Sequence, residues 1–316
     1  MFGWAADFDG CGYYRVTLPA HALRAAGHRV DTSTSLRPRD EWRVIIGQRV
    51  SRLDASALWQ RHAERGRRLV FEVDDDLWHL PPDNPGAGFY DEATRQRMTD
   101  NAAAASVVTC TTPRLAELLR GFNPNVRVVP NYIDAALLTV QRRRNQRVTI
   151  GWAGSNTHAA DLKVAARPLR KLLAARPQID LHLIGADYRH LTGGRHTPWA
   201  RPTPNYYRLI DFDIGIAPLA DTPFNQSKSP IKALEYAALG IPVVASNVGP
   251  YAEFVQHGVT GFLADTAQDW TRYLRALASD VTLRERMGAA AREQAAEWTI
   301  QGHAYEWDRI VEEVAA

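Results

Sequence analysis

The stretch that decides the fold is residues 211–253, DFDIGIAPLADTPFNQSKSPIKALEYAALGIPVVASNVGPYAE. Its pattern predicts a buried strand at 214–219, a polar loop, a helix, and a second strand at 242–246. The helix start is well marked, because Ser229 is a favourable N-cap and Pro230 fits the first helical position, where its missing N–H costs nothing. Strand, loop, helix and strand in this order predict a parallel α/β sheet.

The loop of this stretch predicts an anion site. It joins the carboxyl end of one strand to the N-terminus of the next helix, which is where open α/β sheets bind ligands. Lys228 comes just before the helix. The free N–H groups of the first turn, the positive end of the helix dipole and the lysine ammonium together favour a negatively charged ligand, and phosphate is the simplest.

The segment 224–246, FNQSKSPIKALEYAALGIPVVAS, resembles the donor-binding segment of GT-B glycosyltransferases of the family-four type. In that family the second glutamate of an E-x7-E motif holds the ribose of a nucleotide-sugar, and Glu235 matches it. Ser227 stands eight residues earlier, where the family has its first glutamate. The resemblance implies a nucleoside-diphosphate sugar as the donor substrate and leaves the identity of the sugar open.

The resemblance also assigns roles around Glu235. The candidates for stabilising the leaving diphosphate are Lys228, Lys232 and the N–H groups that follow Ser229. Lys228 is thereby a candidate catalytic residue, and Ser227 belongs to the same donor-binding set. For Lys232, an ordinary surface pair with Glu235 three residues later is the alternative.

Length and composition limit the class of protein. The 316 residues are enough for two domains, and 45% apolar with 23% charged residues is a globular composition. No apolar run reaches the roughly 20 residues of a membrane span, and the first residues lack the basic start and apolar core of a secretion signal. Cys11 and Cys110 suggest neither a disulfide framework nor a zinc site, so we expect a reducing cytoplasm.

The positive charge is modest and unevenly placed. A net charge of +3 does not identify a class of partner. The densest clusters are 142–144 with Arg147, and the arginines of 65–68. We interpret them as solvated linker and surface turn rather than as a nucleic-acid patch. The polar segment 139–147 is the predicted linker between two domains.

The first half of the chain begins like a Rossmann unit. A strand at 2–6, a glycine-rich turn at 9–12 and a helical pattern at 13–26 follow one another. Pro19 inside that pattern predicts a kink or a late helix start. Two interpretations of Gly12 stay open: it allows a substrate of the donor side to approach the backbone closely, or it serves the turn alone.

Three carboxylates, Asp74, Asp75 and Asp76, follow a predicted strand. Crowded like charges raise pKa values and occur where a cation or a proton is managed. Three interpretations stay open: an acceptor site in which a carboxylate orients or deprotonates a hydroxyl, a structural turn before Trp78, or a metal site. Trp78 lies beside the irregular proline-rich segment 81–88 and is a candidate for stacking on a sugar or a base.

The second half repeats the plan of strand, loop and helix. The turn at Gly154 and Ser155 lies where a Rossmann-like unit offers backbone N–H groups to phosphate. Ser155 and His158 are therefore candidate contacts of the sugar donor, with the alternative that His158 is only a helix-start residue. Tyr206 and Tyr207 are candidates for stacking on the nucleobase or for packing in the core.

The resemblance covers nearly the whole chain and implies a GT-B fold, with two Rossmann-like domains facing a cleft. We expect an N-terminal acceptor domain at 1–140 and a C-terminal donor domain at 147–299. The helix at 300–316 is expected to cross back and complete the first domain. The aromatic residues of this last part suit a buried crossing: Trp298, Tyr305 and Trp307.

The predicted function is transfer of a sugar from a UDP-sugar or GDP-sugar to an acceptor hydroxyl, with retention of configuration as the resemblance implies. Asp75 and Asp76 are candidate catalytic residues, with Asp74 and Trp78 on the acceptor side. No cofactor is required besides the sugar donor, and no divalent metal is expected. The acceptor stays open among a glycan, a protein, a small molecule and a modified DNA base, and so does the oligomeric state.

Two alternative functions stay open. A sugar-nucleotide epimerase of GT-B fold would alter the free sugar nucleotide without transfer. A non-catalytic nucleotide-sugar-binding protein would keep the fold, which Ser227 in place of the first glutamate allows. A Rossmann dehydrogenase is not indicated, because neither half carries a full GxGxxG with its later acidic residue.

Overall fold

The computed structural model describes residues 1–36, 41–143 and 145–316, so Arg144 of the predicted linker lies outside the described residues. The strands of the described part are β1 Phe2–Trp4, β2 Asp31–Ser33, β3 Val44–Gln48, β4 Arg68–Glu72, β5 Val107–Cys110, β6 Val126–Val128, β7 Thr149–Gly154, β8 Asp180–Gly185, β9 Arg195–Thr197, β10 Ile214–Ala217, β11 Val243–Ser246 and β12 Gly261–Ala264. The helices are α1 Leu18–Ala25, α2 Leu53–Glu64, α3 Glu92–Ala103, α4 Pro113–Leu119, α5 Ala159–Ala175, α6 Arg189–Thr192, α7 Thr203–Tyr207, α8 Pro223–Gln226, α9 Ile231–Ala238, α10 Pro250–Phe254, α11 Ala267–Ser279, α12 Val281–Ala296 and α13 Ile300–Ala315. A π-helix at Tyr13–Thr17 and a 3-10 helix at Ala135–Thr139 complete the elements.

The described chain divides into two units. Unit 1 comprises Met1–Tyr132, the short segment Ser227–Ser229 and Ile300–Ala316. Unit 2 comprises Ile133–Gln226 and Pro230–Thr299. The terminal helix α13 therefore belongs to unit 1, although it follows unit 2 in the sequence.

Unit 1 contains one six-stranded sheet in the order β2-β1-β3-β4-β5-β6, and every neighbouring pair is parallel. Its central strands β3, β4 and β5 are buried apart from Arg68 at the start of β4, as parallel strands covered by helices on both faces must be. The chain enters its first α-helix late: Tyr13–Thr17 is π-helical, and α1 begins at Leu18 with Pro19 in its first turn. The kink or late start predicted from Pro19 is confirmed.

Unit 2 contains a second parallel sheet in the order β12-β11-β10-β7-β8-β9. Counted within the unit, this is the order 6-5-4-1-2-3, the arrangement of dinucleotide-binding folds. Successive residues of β11 alternate between two cores, since Val243 and Ala245 pack with α9 residues while Val244 packs with α5 and α11 residues. Both faces of the sheet are thus covered by helices.

Two features of the described chain complete the fold. The glycine- and proline-containing segment 193–204 reads as irregular in the sequence, yet Arg195–Thr197 forms edge strand β9, which pairs with β8 through His182 and Arg195. Its polar sequence gives no alternating pattern, because main-chain pairing at a sheet edge needs no apolar side chain. No helix in the described part of the chain combines the length and the apolar character that crossing a membrane requires.

Candidate functional site

The strand order of unit 2 marks a place for a ligand. The chain leaves β7 toward β8 on one side and returns to β10 on the other, so the order reverses between β7 and β10. In open parallel sheets, ligands bind at the carboxyl ends of the strands at such a reversal. The two loops that begin there are residues 155–158 after β7 and residues 218–230 after β10. They contain most of the predicted sugar-donor contacts.

Asp161 ties these two loops together. The Nδ1–H of His158 donates to its Oδ2 at 2.7 Å, while Oδ1 accepts from the Ala220 N–H at 3.0 Å and from Asn225 Nδ2 at 2.7 Å. Asp161 is only 4% exposed, so these hydrogen bonds are shielded from water. The role of Asp161 could not be predicted from the sequence, because an acidic group in the first turn of a helix is common for dipole reasons alone.

His158 in turn contacts Lys232. Lys232 Nζ lies 3.0 Å from His158 Nε2. An ammonium group only donates, so Nε2 is the acceptor and the ring hydrogen sits on Nδ1, facing Asp161. The result is a carboxylate–imidazole–ammonium chain that fixes the position of Lys232. His158 is the N-cap residue of α5, as the helix-start alternative has it, and it also contacts Lys232; its contact with the sugar donor stays a prediction.

Gly154 leaves room for the lysine stem. A Cβ at this position would lie 2.5 Å from the Trp152 ring and 3.2 Å from Lys232 Cε. Glycine at the end of β7 thus allows the side chain of Lys232 to lie against the strand end. Ser155 follows, and its Oγ is 2.8 Å from Thr157 Oγ1, so the loop also holds its own hydroxyl pair.

Glu235 is buried on α9 and held by a tyrosine. It is 5% exposed, and the Tyr206 hydroxyl donates to its Oε2 at 2.9 Å. Burial, followed by the nearby Glu235 charge, raises the pKa of Tyr206 well above its usual value, so the phenol stays protonated and donates. Glu235 therefore is not the exposed partner of a surface pair with Lys232.

Tyr206 and its neighbours serve packing. The Tyr206 ring is 1% exposed and stacks on Trp199, with ring centroids 4.0 Å apart and planes 16° apart. Tyr207 is also buried. Of the two interpretations offered for these tyrosines, core packing is the one that the contacts support. Trp199 was missed because a single aromatic in an irregular stretch has no pattern around it.

The segment Ser227–Ser229 is anchored in unit 1. Thr112 Oγ1 donates to the Ser227 carbonyl at 2.9 Å, and Asn131 Nδ2 donates to Ser229 Oγ at 2.8 Å. Lys228 lies between these two anchored residues. The prediction that Ser229 caps the helix is wrong by one residue: α9 begins at Ile231 after Pro230, and the Ser229 hydroxyl is engaged by Asn131 instead.

The acidic cluster of unit 1 has a cation that the sequence did not reveal. Arg49 Nε donates to Asp74 at 2.6 Å, and its Nη2 donates to Asp75 at 2.9 Å and to Cys11 Sγ at 3.2 Å. Burial opposes ionisation of Asp74, but Arg49 outweighs it, aided by a hydrogen bond from Cys11, and the pKa of Asp74 lies below its ordinary value. Asp75 is the more exposed carboxylate of the pair.

The same geometry bears on the metal interpretation. One ligand atom each of Cys11, Asp74 and Asp75 lies within 4.8 Å of the others, which is a spacing that can hold an ion. The guanidinium of Arg49 already contacts all three groups, so an ion would have to displace it. That no divalent metal is needed stays a prediction.

The remaining predicted residues of unit 1 have structural contacts. Both carboxylate oxygens of Asp76 lie within about 3 Å of His79 Nδ1, which makes this residue the cap of a turn. Trp78 donates to Thr99 Oγ1 at 3.0 Å and packs on the Phe122 ring. A role of Asp76 or Trp78 toward an acceptor stays a prediction.

Gly12 is required by its turn. A Cβ there would lie 1.8 Å from the Asp7 carbonyl oxygen, and its N–H donates to Asp7 Oδ1 at 3.2 Å. Of the two interpretations offered for this glycine, the turn alone explains why no side chain is tolerated. Contact of Gly12 with a substrate stays a prediction.

A comparison with protein families identifies part of the chain. Residues 222–294 match the family described as Glycosyl transferases group 1. We call these matched residues, 222–294, the group 1 segment. The group 1 segment contains Lys232 and Glu235 of the candidate site, whereas His158 and Asp161 precede it. The resemblance predicted from the sequence is confirmed.

Curated relatives carry glycosyltransferase names. The chain is 28% identical over 220 residues to D-inositol 3-phosphate glycosyltransferase of Arthrobacter sp. (strain FB24), covering 60% of this chain and 51% of that protein. It is 29% identical over 230 residues to the enzyme of the same name from Paenarthrobacter aurescens (strain TC1), covering 63% and 55%. The chain spans about half the length of the curated relatives it matches.

Solved structures share the fold. Sucrose-phosphate synthase (tll1590) from Thermosynechococcus elongatus matches with a TM-score of 0.70 at 16% identity, over 99% of this chain and 98% of that one. Anabaena HepE (Alr3699) in complex with UDP matches with a TM-score of 0.66 at 14% identity, over 99% and 98%. Together with the two parallel six-stranded sheets, these matches confirm the predicted α/β fold of GT-B type.

Proposed function

We propose that the protein is a glycosyltransferase that uses a nucleoside-diphosphate sugar as its donor and a hydroxyl as its acceptor. The observation that carries the proposal is the placement of Glu235 in the group 1 segment, buried and oriented by Tyr206. A carboxylate held in this way has the chemistry to accept two charge-assisted hydrogen bonds from the adjacent hydroxyls of a ribose. That preference distinguishes a nucleotide from bare phosphate.

The leaving group is the second element of the proposal. Transfer breaks the bond between the anomeric carbon and a diphosphate oxygen, and the electron pair leaves with the diphosphate as its charge grows. A new bond forms to the acceptor oxygen, which loses its proton. Lys232, positioned by His158 and Asp161, places a cation at the strand ends where the diphosphate is expected. Lys228 and the N–H groups after Ser229 are proposed to stabilise the same negative charge on the leaving diphosphate.

The remaining assignments follow from the resemblance and the relatives. We propose a UDP-sugar as the donor, because Anabaena HepE, which is similar in fold, forms a complex with UDP-glucose. We assign the donor to unit 2 and the acceptor to unit 1, where Asp75 is the candidate for orienting the hydroxyl. Ser155 and Ser227 complete the proposed donor contacts. Retention of configuration and a cytoplasmic location stay predictions.

The test of the proposal is a pair of substitutions. Glu235→Ala and Lys228→Ala should each lower kcat/KM for a UDP-sugar by about a hundredfold or more, since each removes a charged contact with the nucleotide or its diphosphate. Circular dichroism checks that the variants are folded. Glu285→Ala is the matched control, because this glutamate is exposed on α12 within the same family segment. Its kinetics should equal those of the unaltered protein.

Three results would count against the proposal. Unchanged kinetics in both Glu235→Ala and Lys228→Ala would reject the assigned donor site. An altered free sugar nucleotide without transfer, seen in a product assay, would identify an epimerase instead. Calorimetry that detects no binding of any nucleotide-sugar would leave only a binding module for another ligand.

A further inference from the structure

A groove in unit 2 concentrates positive charge away from the donor-binding residues. It lies along helices α5 and α11 and has a volume of about 690 Å³. No carboxylate is among the described residues that line it. The whole chain has a net charge of only +3, so the groove is much more positively charged than the chain as a whole. Its basic lining residues are Arg167, Lys171, Arg176, Arg272 and Arg275.

These charges are largely not neutralised by the protein itself. Within the described residues, Arg167, Lys171 and Arg275 have no hydrogen-bond or ion-pair partner. Arg176 does have a hydrogen-bond partner, since its Nη1 donates to Ser279 Oγ at 2.7 Å. That hydroxyl is neutral, so it does not compensate the charge of Arg176. Arg272 alone has a carboxylate nearby, that of Asp269 at 3.5 Å. The groove therefore retains a positive charge that an anion can compensate.

The two helices explain why the charges face one groove. Both helices turn their apolar faces toward the core that contains Leu162, Leu169 and Leu274. Their outer faces carry the basic residues at helical spacing, so the long side chains flank the line along which the helices pack. Two small side chains, Ala267 and Ala276, are also among the lining residues.

We propose that this groove binds an anionic small molecule that carries at least two phosphate groups. Its volume is in the range of small-molecule sites. Arginine offers a planar fork of donors that suits phosphate oxygens, and several arginines at one site favour several phosphates. No aromatic side chain is among the described residues that line the groove, so it offers no platform for stacking a base. None of the groove residues belongs to the proposed donor site.

The test uses inorganic tripolyphosphate as the probe. Calorimetry is performed at low ionic strength on a Lys228→Ala/Lys232→Ala background, which weakens phosphate binding by the proposed donor site. The doubly reversed variant Lys171→Glu/Arg275→Glu should bind at least about tenfold more weakly, because charge-assisted hydrogen bonds are lost and repulsion is added. The matched control is Arg208→Glu/Arg286→Glu, which makes the same change of charge at exposed positions of unit 2. It should bind within about threefold of the background, since distant surface charges are screened.

Each outcome decides the proposal. The proposal is supported if the groove variant loses tripolyphosphate binding while the control variant keeps it. It is also supported if orthophosphate binds much more weakly than tripolyphosphate. Equal loss in both variants would show general surface attraction and overturn the proposal. So would an absence of tripolyphosphate binding by the background protein. Retention on phosphatidylglycerol vesicles without tripolyphosphate binding would assign the charge to a membrane surface and overturn it as well.

Discussion

Arg49 balances the charge of the acidic cluster in unit 1. It adopts φ +49°, a left-handed conformation that is uncommon for a residue other than glycine. This backbone turn at the end of β3 brings its guanidinium to Asp74 and Asp75, which follow the next strand. Burial alone would lower the pKa of Arg49, but Asp74 and the other acidic neighbours raise it well above its usual value. The pair is therefore ionised on both sides.

Removing the Arg49 guanidinium should destabilise the protein, because the buried Asp74 carboxylate then lacks its counter-ion. Arg49→Met should destabilise the protein by ~3–5 kcal/mol at pH 7, because it leaves a buried charge without its partner. With Arg49 present, the pKa of Asp74 is lowered in the folded state, which stabilises the protein at pH values above about 4, the pKa of an unfolded aspartate. This stabilisation is lost as the pH falls toward the lowered pKa of the folded state. Without Arg49, burial raises that pKa. The deficit of the variant in urea unfolding should therefore be smaller at pH 4 than at pH 7.

Arg49→Lys is the control for this prediction, since it keeps the charge and the same backbone strain. It should lose less stability than Arg49→Met at pH 7. A deficit of Arg49→Met that is equal at both pH values would contradict the assigned role.

The residues of the site that belong to a local sequence pattern could be predicted. Glu235 and Lys232 stand in a recognisable segment, and Ser155 and His158 stand in a turn of known type. Asp161 and Arg49 could not be predicted, because their partners come from other loops. Asn225 is 64 residues from Asp161, and Asp74 is 25 residues from Arg49. Such pairs become visible only when the strand order is known.

At the level of elements, the candidate site depends on two loops that are coupled by one carboxylate. Asp161 near the start of α5 contacts His158 on its own loop, and Ala220 and Asn225 on the loop after β10. Lys232 on α9 is then positioned through His158. The donor-binding geometry proposed here is therefore a property of α5, α9 and their loops together.

Asp161→Asn should uncouple these loops. The amide keeps one acceptor oxygen and replaces the other with a donor, so it can no longer accept from His158 on one side and from Ala220 and Asn225 on the other. We expect a loss of about 1–3 kcal/mol in the free energy of unfolding, because buried polar groups are left unsatisfied. Affinity for the UDP-sugar should fall with it, since Lys232 is no longer held. Urea unfolding and calorimetry measure the two effects.

Asp221→Asn is the matched control for this substitution. Asp221 lies on the same loop and accepts a hydrogen bond from Gln226, but it is exposed to solvent. Both stability and sugar-donor affinity should stay close to those of the unaltered protein. Equal effects of the two substitutions would mean that Asp161 has no special part in holding the loops.

Most elements followed from periodicity, and the exceptions have physical reasons. The strands predicted at 214–219 and 242–246 are β10 and β11. Both are apolar runs with clear ends. The π-helix at Tyr13–Thr17 was not predicted, because a helix with one wider turn has the same apolar spacing within five residues. Edge strand β9 has no apolar pattern at all.

At the scale of the molecule, the chain returns to its first unit at the end. Helix α13 belongs to unit 1, where Trp307 is 1% exposed and the Arg15 guanidinium lies 5.2 Å from its ring centroid. Arg15 in turn forms a buried ion pair with Glu72. Of the three aromatics predicted to be buried by this return, Trp307 is buried, Trp298 is partly buried and Tyr305 is 49% exposed. The predicted domain limits and their roles stay predictions.

Trp307→Ala should therefore weaken unit 1 selectively. Removing a fully buried tryptophan costs about 3–5 kcal/mol, and here it also removes the ring beside the Arg15–Glu72 ion pair. Hydrogen exchange measured by mass spectrometry should show faster exchange in β1, β3 and β4 of unit 1. Exchange in β7 and β8 of unit 2 should be unchanged, because α13 adds no residue to that unit.

Tyr305→Ala is the control on the same helix. Its side chain is half exposed, so the substitution should change stability by no more than about 0.5 kcal/mol. If Trp307→Ala accelerates exchange equally in both sheets, the terminal helix supports the whole chain rather than unit 1. If it accelerates exchange in neither, the helix is not part of the cooperative core of unit 1, and the packing of Trp307 on Arg15 contributes little to stability.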